Sequence, residues 1–185
     1  SADGAAVLQA LRSLYAPEMS RQELERIGLQ VGSDVPFCVR GGTALAEGRG
    51  EVLTDLPPLP ACAIVVCKPE FGLSTPALFG RVRVEKLGRR PDHDAMKQAL
   101  AAGNLGAVAR QMGNVFEEVL TAEESREIAY LKDVMLRCGA LNAVMTGSGP
   151  TVFGLFAQKE QAERAAQTLR SRYAQLFLTT PVQRV

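Results

Sequence analysis

Asn142-Ala-Val-Met-Thr146, Gly147-Ser-Gly-Pro150 and Thr151-Val-Phe-Gly-Leu-Phe156 form the stretch that decides the fold. Two apolar runs flank four turn-forming residues, so they read as two strands joined by a tight turn. Working outward, residues 159–173 have the period of an amphipathic helix, and residues 176–180 read as a last strand. Upstream, Ala61-Cys-Ala-Ile-Val-Val-Cys67 is a short apolar run rich in β-branched residues, which marks a buried strand. Between it and residue 142, helical patterns fit residues 76–79, 92–102, 105–112, 115–120 and 123–138, the last stopped by Gly139. The order strand, helices, strand, strand, helix, strand predicts an α+β, ferredoxin-like domain: an antiparallel sheet with helices packed on one face.

The first sixty residues read differently. Val7, Leu8, Leu11, Leu14 and Tyr15 share one face of a helix that begins near residue 1. Its first turn holds only small residues around Asp3: Ser1, Ala2, Gly4, Ala5 and Ala6. Small residues there either let a neighbouring helix pack closely or leave the free N–H groups open to a phosphate. Ser20-Arg-Gln-Glu23 is a capping-box pattern that opens a helix to about Leu29. Gly32-Ser-Asp34 breaks it, and Val35-Pro-Phe-Cys-Val39 follows as a short helix with Pro36 in its first turn. Residues 43–47 and 51–54 flank Gly48-Arg-Gly50 as a hairpin. Leu56-Pro-Pro-Leu-Pro60 is the expected boundary between a domain over residues 1–60 and another over 61–185, because its prolines favour an extended linker.

Composition narrows the function. Lys and Arg total 21 against 20 Asp and Glu, so no broad positive field draws a nucleic-acid backbone or an anionic membrane surface. Any phosphate site must come from local geometry. No apolar run approaches the roughly 20 residues of a membrane-spanning helix, and no signal peptide opens the chain. Cys38, Cys62, Cys67 and Cys138 form no CxxC pair, so free thiols in a reducing cytoplasm are expected. His93 is the only histidine and sits in a polar stretch over residues 89–94, which argues against a zinc site.

Three local patterns carry chemistry, each beside a plain structural reading. Gly147-Ser-Gly149 is either a hairpin turn or a backbone nest whose N–H groups face a phosphate, with Ser148 adding a hydroxyl. Asp34 is either a helix cap or a carboxylate placed to orient a hydroxyl and accept its proton. Phe71 and Phe79, around the broken loop Lys68-Pro-Glu-Phe-Gly-Leu-Ser-Thr-Pro76, either fill the core or stack on a base. Asn114-Val-Phe-Glu117 reads as an ordinary helix start capped by Asn114.

Taken in order, these segments resemble the GHMP kinase superfamily. Gly32-Ser-Asp-Val-Pro-Phe37, Gly41-Gly-Thr-Ala44 and Gly48-Arg-Gly-Glu51 are similar to the signature of its 4-diphosphocytidyl-2-C-methyl-D-erythritol kinases. Lys68-Pro69, Ser74-Thr-Pro76 with Phe79, and Asn114-Val-Phe-Glu117 resemble that family's next blocks. Met145-Thr-Gly-Ser-Gly-Pro-Thr-Val-Phe-Gly154 resembles the third GHMP motif, and Ser1-Ala-Asp-Gly-Ala-Ala6 the tail of the second.

The resemblance implies a two-domain GHMP fold and transfer of the ATP γ-phosphate to the 2-hydroxyl of a cytidine diphosphate methylerythritol, in non-mevalonate isoprenoid synthesis. It implies that Asp34 is the catalytic aspartate and contacts substrate, together with Thr75 and Phe79. It implies that Ser1, Ala2 and Asp3 hold ATP phosphates, with Ser1 near Mg²⁺, and that Gly147, Ser148 and Gly149 lie beside those phosphates. The family's first motif and the glycines of its second are absent from these residues. Little or no kinase activity is therefore expected of the 185 residues alone. Unpaired strand edges would favour self-association into a homodimer. Two other readings stay open: a GHMP kinase for homoserine or mevalonate, and a non-catalytic ferredoxin-like binding module.

Overall fold

Val65 and Cys67 have no exposed surface, and the strand that holds them, β3 (Ala63–Lys68), is an inner strand of a four-stranded sheet. In this computed structural model residues 1–88 and 90–182 are described. They fall into two units, Ser1–Pro58 together with Val182, and Leu59–Pro181.

In the larger unit, β4 (Asn142–Met145), β5 (Val152–Phe156), β3 and β6 (Gln175–Thr179) lie in the order β4-β5-β3-β6. All three pairings are antiparallel, with Val65 opposite Gly154 on one side and Leu178 on the other. In chain order the strands are fourth, first, third and second across the sheet, which is the ferredoxin-like arrangement. Alternation sorts the side chains by face. Ala63, Val65, Cys67, Ala143, Met145, Val152 and Phe156 point into one core with α7 (Ala122–Arg137) and α8 (Lys159–Arg170). Thr121 and Glu124 close a capping box at the start of α7, leaving Ile128, Leu131 and Met135 at helical spacing to fill that core. On α8, Ala162, Ala165, Ala166 and Leu169 form the buried stripe. Fully burying one of the larger side chains contributes about 1.5–3 kcal/mol.

Helices on one face only were expected, and the structure corrects this. Ile64, Val144, Phe153 and Leu155 make the second face apolar as well. It is covered by Met96 of α5 (His93–Ala101), Leu105 and Ala109 of α6 (Leu105–Gln111), and Met112. Three boundaries also move. Residues 115–120, expected as an α-helix, form a 3₁₀ turn over Val115–Val119. Only six residues separate the two caps, Asn114 and Thr121, which leaves little room for repeated α-type bonds. The last helix stops at Arg170, and Tyr173 leaves it to bury its ring and donate its hydroxyl to Glu127. The polar stretch expected over residues 89–94 includes Arg89, which lies outside the described residues; His93 is the first residue of α5, capped by Asp92.

The smaller unit holds α1 (Ala2–Tyr15), α2 (Arg21–Val31), α3 (Val35–Arg40) and the hairpin of β1 (Thr43–Glu47) and β2 (Val52–Leu56). Ser20 and Glu23 make the expected capping box. Ala5, Leu24, Val35 and Val39 form a small core with Leu8, Met19 and Cys38 against it. The apolar face of α1 is only partly used: Leu8 is half-buried, while Leu14 and Tyr15 are 71% and 78% exposed. Arg40 ties the end of α3 down. Its Nε lies 2.9 Å from Glu25 Oε1, Nη2 meets Glu25 Oε2, and Nη1 donates to the Leu53 carbonyl at 2.7 Å.

Candidate functional site

The expected site residues fall into two groups, one in each unit.

In the smaller unit the start of α1 faces the junction of α2 and α3. A Cβ on Gly4 would sit 3.6 Å from Val31 Cγ1 and 3.8 Å from Val35 Cγ2, and Ala5 is buried. Close helix packing thus accounts for Gly4 and Ala5. It leaves Ser1, Ala2 and Asp3 exposed. Ser1 is the N-cap of α1, yet its hydroxyl makes no capping bond; the helix starts on its carbonyl, which accepts from Ala5 N at 2.9 Å. The first turn therefore presents free N–H groups and the positive end of a 14-residue helix.

Asp34 is the N-cap of α3, and its side chain also makes no capping bond. Pro36 stands in the first turn, so one N–H that the carboxylate could have capped is missing. Val35 and Pro36 are buried beside it, and Asp34 itself is exposed. Its backbone is anchored and its carboxylate is uncommitted, which is what a group that must accept a hydroxyl proton requires.

In the larger unit Gly147, Ser148 and Gly149 form the β4–β5 turn. Gly147 has φ +55° and Gly149 φ +74°, both left-handed, and the Gly149–Pro150 peptide is cis. Gly149 N donates to Thr146 O at 2.9 Å and Thr146 N to Thr151 O at 2.8 Å, closing the turn. The turn does not stand alone. Ser148 Oγ lies 2.7 Å from Thr75 Oγ1. Thr75 is the first residue of α4 (Thr75–Arg81), which Ser74 caps. One helical turn on, Phe79 is 63% exposed, and its ring meets Phe116 edge-on with centroids 4.9 Å apart. Phe71, the other aromatic considered for stacking, packs against the main core instead. Thr75, Ser148 and Phe79 are thus gathered on α4 and the turn, with Phe79 leaving most of one aromatic surface open.

Residues 114–117 were missed as part of this cluster, because a local reading makes Asn114 only a cap. Asn114 Oδ1 does accept from Phe116 N, but its Nδ2 reaches Met145 O at 2.8 Å and Gly147 O at 2.7 Å. Glu117 Oε1 accepts from Met145 N at 2.7 Å, and its other oxygen pairs with Lys132. A cavity of about 460 Å³ opens beside the turn, lined by His93, Met96, Asn114, Phe116, Met145 and Gly147 among others. A larger one, about 600 Å³ and lined by Phe71, Glu123, Glu127, Arg172 and Tyr173, holds only Phe71 of the candidates.

Electrostatics are local. The Arg81 guanidinium, donating to Glu124 at 2.7 Å, holds that carboxyl below the usual range. Burial pushes the Cys67 thiol up to about 12, with the Glu127 charge adding to it. All four cysteines are free. Among the described residues no cluster of three His, Cys, Asp or Glu could hold a metal ion, and no helix is long and apolar enough to cross a membrane.

The family described as GHMP kinases N terminal domain matches residues 1–42, and GHMP kinases C terminal matches residues 96–175. The 4-diphosphocytidyl-2-C-methyl-D-erythritol kinase of Caldicellulosiruptor saccharolyticus is 43% identical over 97% of this chain and 62% of its own length. That of Clostridium botulinum is 39% identical over 98% of this chain and 65% of its own. The chain therefore spans somewhat under two thirds of the curated relatives it matches. A crystal structure of a 4-(cytidine 5'-diphospho)-2C-methyl-D-erythritol kinase superposes with TM-score 0.76 at 33% identity, covering 95% of this chain and 62% of that one. L. major mevalonate kinase superposes with TM-score 0.73 at 17% identity, covering 98% of this chain and 65% of that one, a likeness of fold alone. The chain belongs to the GHMP kinase superfamily.

Proposed function

We propose that this protein is an ATP-dependent kinase that phosphorylates 4-diphosphocytidyl-2-C-methyl-D-erythritol at its 2-hydroxyl, a step of non-mevalonate isoprenoid synthesis. What carries the reading is the match of 97–98% of this chain to relatives of that name. The uncommitted carboxylate of Asp34 supports it, and so does the open ring of Phe79. Residues 1–60 would be a part of the N-terminal ATP-binding and catalytic domain, and 61–185 the C-terminal domain.

In this reading the substrate hydroxyl oxygen attacks the γ-phosphorus. The new O–P bond forms as the bond from that phosphorus to the β–γ bridging oxygen breaks, and ADP leaves. Asp34 orients the hydroxyl and takes its proton. The first turn of α1, with Ser1, Ala2 and Asp3, supplies N–H groups to the phosphates. The turn over residues 147–149 adds the N–H groups of Gly147 and Ser148, that of Gly149 being engaged with Thr146 O, and Ser148 adds a hydroxyl. Thr75 and Phe79 hold the substrate, with Phe79 against the cytosine. Mg²⁺ lowers the charge on the phosphates when bound. Such an ion takes few protein ligands beside phosphates and water, and Ser1, whose hydroxyl no cap engages, is the residue that fits that role. A cytoplasmic location accords with four free cysteines. A homodimer is part of the proposal, to be read from sedimentation.

The test is ADP release by the chain extended upstream by the segment the resemblance calls for, with ATP and Mg²⁺. Release with the diphosphocytidyl substrate alone, lost in Asp34→Asn, is the expected result. Release with mevalonate or homoserine would keep the superfamily and overturn the substrate. Silence with all three would leave a non-catalytic module.

A further inference from the structure

We infer that Asn114 and Glu117 are positioning residues that set the phosphate-side turn and the base-side ring from one frame; the inference rests on the kinase reading above. Among the described residues β4 is an edge strand, and its last residue, Met145, has no strand on its outer side. Residues 114 and 117 take that place. Asn114 accepts nothing from Met145 but donates to its carbonyl, while Glu117 accepts from its N–H. Both backbone groups are satisfied by side chains of one 3₁₀ segment. The second Asn114 N–H holds the Gly147 carbonyl, two bonds short of Ser148.

The same segment reaches α4. Phe116, whose N–H is tied to Asn114 Oδ1, lays its ring edge-on against Phe79. Thr75, at the start of that helix, returns to the turn through Ser148. The contacts close a circuit: Gly147 to Asn114, Phe116, Phe79, along α4 to Thr75, then Ser148 and back to Gly147. A closed circuit fixes relative positions that an open chain of contacts leaves loose, and positioning is most of what phosphoryl transfer asks of a protein. Glu117 is held in turn by Lys132 of α7, which anchors the frame to the main core.

Asn114→Asp tests the idea with little change of shape. The aspartate keeps an acceptor for Phe116 N and loses both donors. In the extended, active protein, KM for ATP and KM for the diphosphocytidyl substrate should rise together, by about tenfold each, the size expected for one or two lost hydrogen bonds. Phe116→Leu should raise KM for the diphosphocytidyl substrate more than for ATP. Glu117→Gln, which keeps an oxygen for Met145 N, should restore most of what Glu117→Ala loses. A residue that only stabilises the fold would lower the midpoint of thermal unfolding and leave both KM values unchanged well below it; that outcome overturns the inference. Amide hydrogen exchange gives a second reading that needs no turnover. In Asn114→Asp, exchange at Thr146 and Gly149 should quicken by about tenfold while Val65 and Phe156 stay protected. Unchanged exchange at Thr146 and Gly149 also overturns it. If the unsubstituted protein releases no ADP, the kinase reading fails by itself, and exchange alone decides whether the frame exists.

Discussion

Thr75 Oγ1 and Ser148 Oγ stand 2.7 Å apart, joining the start of α4 to the β4–β5 turn across 73 residues of sequence. Thr75 is exposed and Ser148 half-buried, so the bond competes with water and its net worth is modest, about 0.5–1.5 kcal/mol. A double-mutant cycle of Thr75→Val and Ser148→Ala in urea should return a coupling in that range. A coupling of zero would mean that the two hydroxyls are solvated independently and do not fix α4.

The two glycines of the turn should respond unequally to alanine. Both have left-handed φ, which costs a residue with a Cβ about 1–2 kcal/mol. Beyond that, a Cβ on Gly147 meets nothing within 4 Å. One on Gly149 would collide with Met145 Sδ and lie 3.0 Å from Leu73 Cδ1. Overpacking of that kind adds about 1–3 kcal/mol. Gly149→Ala should therefore lower the urea midpoint clearly more than Gly147→Ala. Equal losses would remove the steric distinction between the two positions.

Alkaline stability should fall early. Burial, then the Glu127 charge, raises the Cys67 thiol to about 12, and burial also raises Tyr173. A raised folded-state value favours the protonated form, so this stability is complete below the unfolded value, near pH 9 for the thiol. It is lost as pH climbs from there toward 12, at up to about 1.4 kcal/mol per pH unit for each proton. Cys67→Ala should flatten the decline above pH 9 relative to the parent, although the small-for-large change lowers stability at every pH. Denaturant midpoints measured from pH 7 to 10.5 check both parts. An unchanged slope in Cys67→Ala would show that the thiol does not titrate in the unfolding step.

Much of this was legible in the sequence where the signal was local. Ser20 with Glu23 announced α2, and the glycines at 147 and 149 announced the turn between two apolar strands. The second covered face of the sheet was not legible, because alternation shows that Ile64 and Phe153 share a side but not what lies over it. Tyr173 was placed inside the last helix on its period. Its partner, Glu127, is 46 residues away and leaves no local trace. Asn114 and Arg40 were missed for the same reason: each looks like an end-of-helix residue and spends its donors on distant carbonyls and carboxylates. The roles given to Asp34, Ser1, Thr75 and Phe79 came from resemblance. What the structure adds is that the carboxylate, the hydroxyl at residue 1 and most of the ring are left uncommitted by the fold.

The order of the strands has a consequence for how the chain matures. β3 is an inner strand, yet both of its neighbours, β5 and β6, come from beyond residue 150. As the polypeptide leaves the ribosome, Ala63–Lys68 is one of the earliest apolar segments of its unit and must wait for the last ones. Closing so long a loop is slow, and an unpaired apolar strand is a place where nascent chains adhere to one another. The helices made in the meantime, α5, α6 and α7, are among those whose apolar residues later cover the sheet. They are available to shield it first, so the sheet of this unit closes only after Gln175–Thr179 has been made.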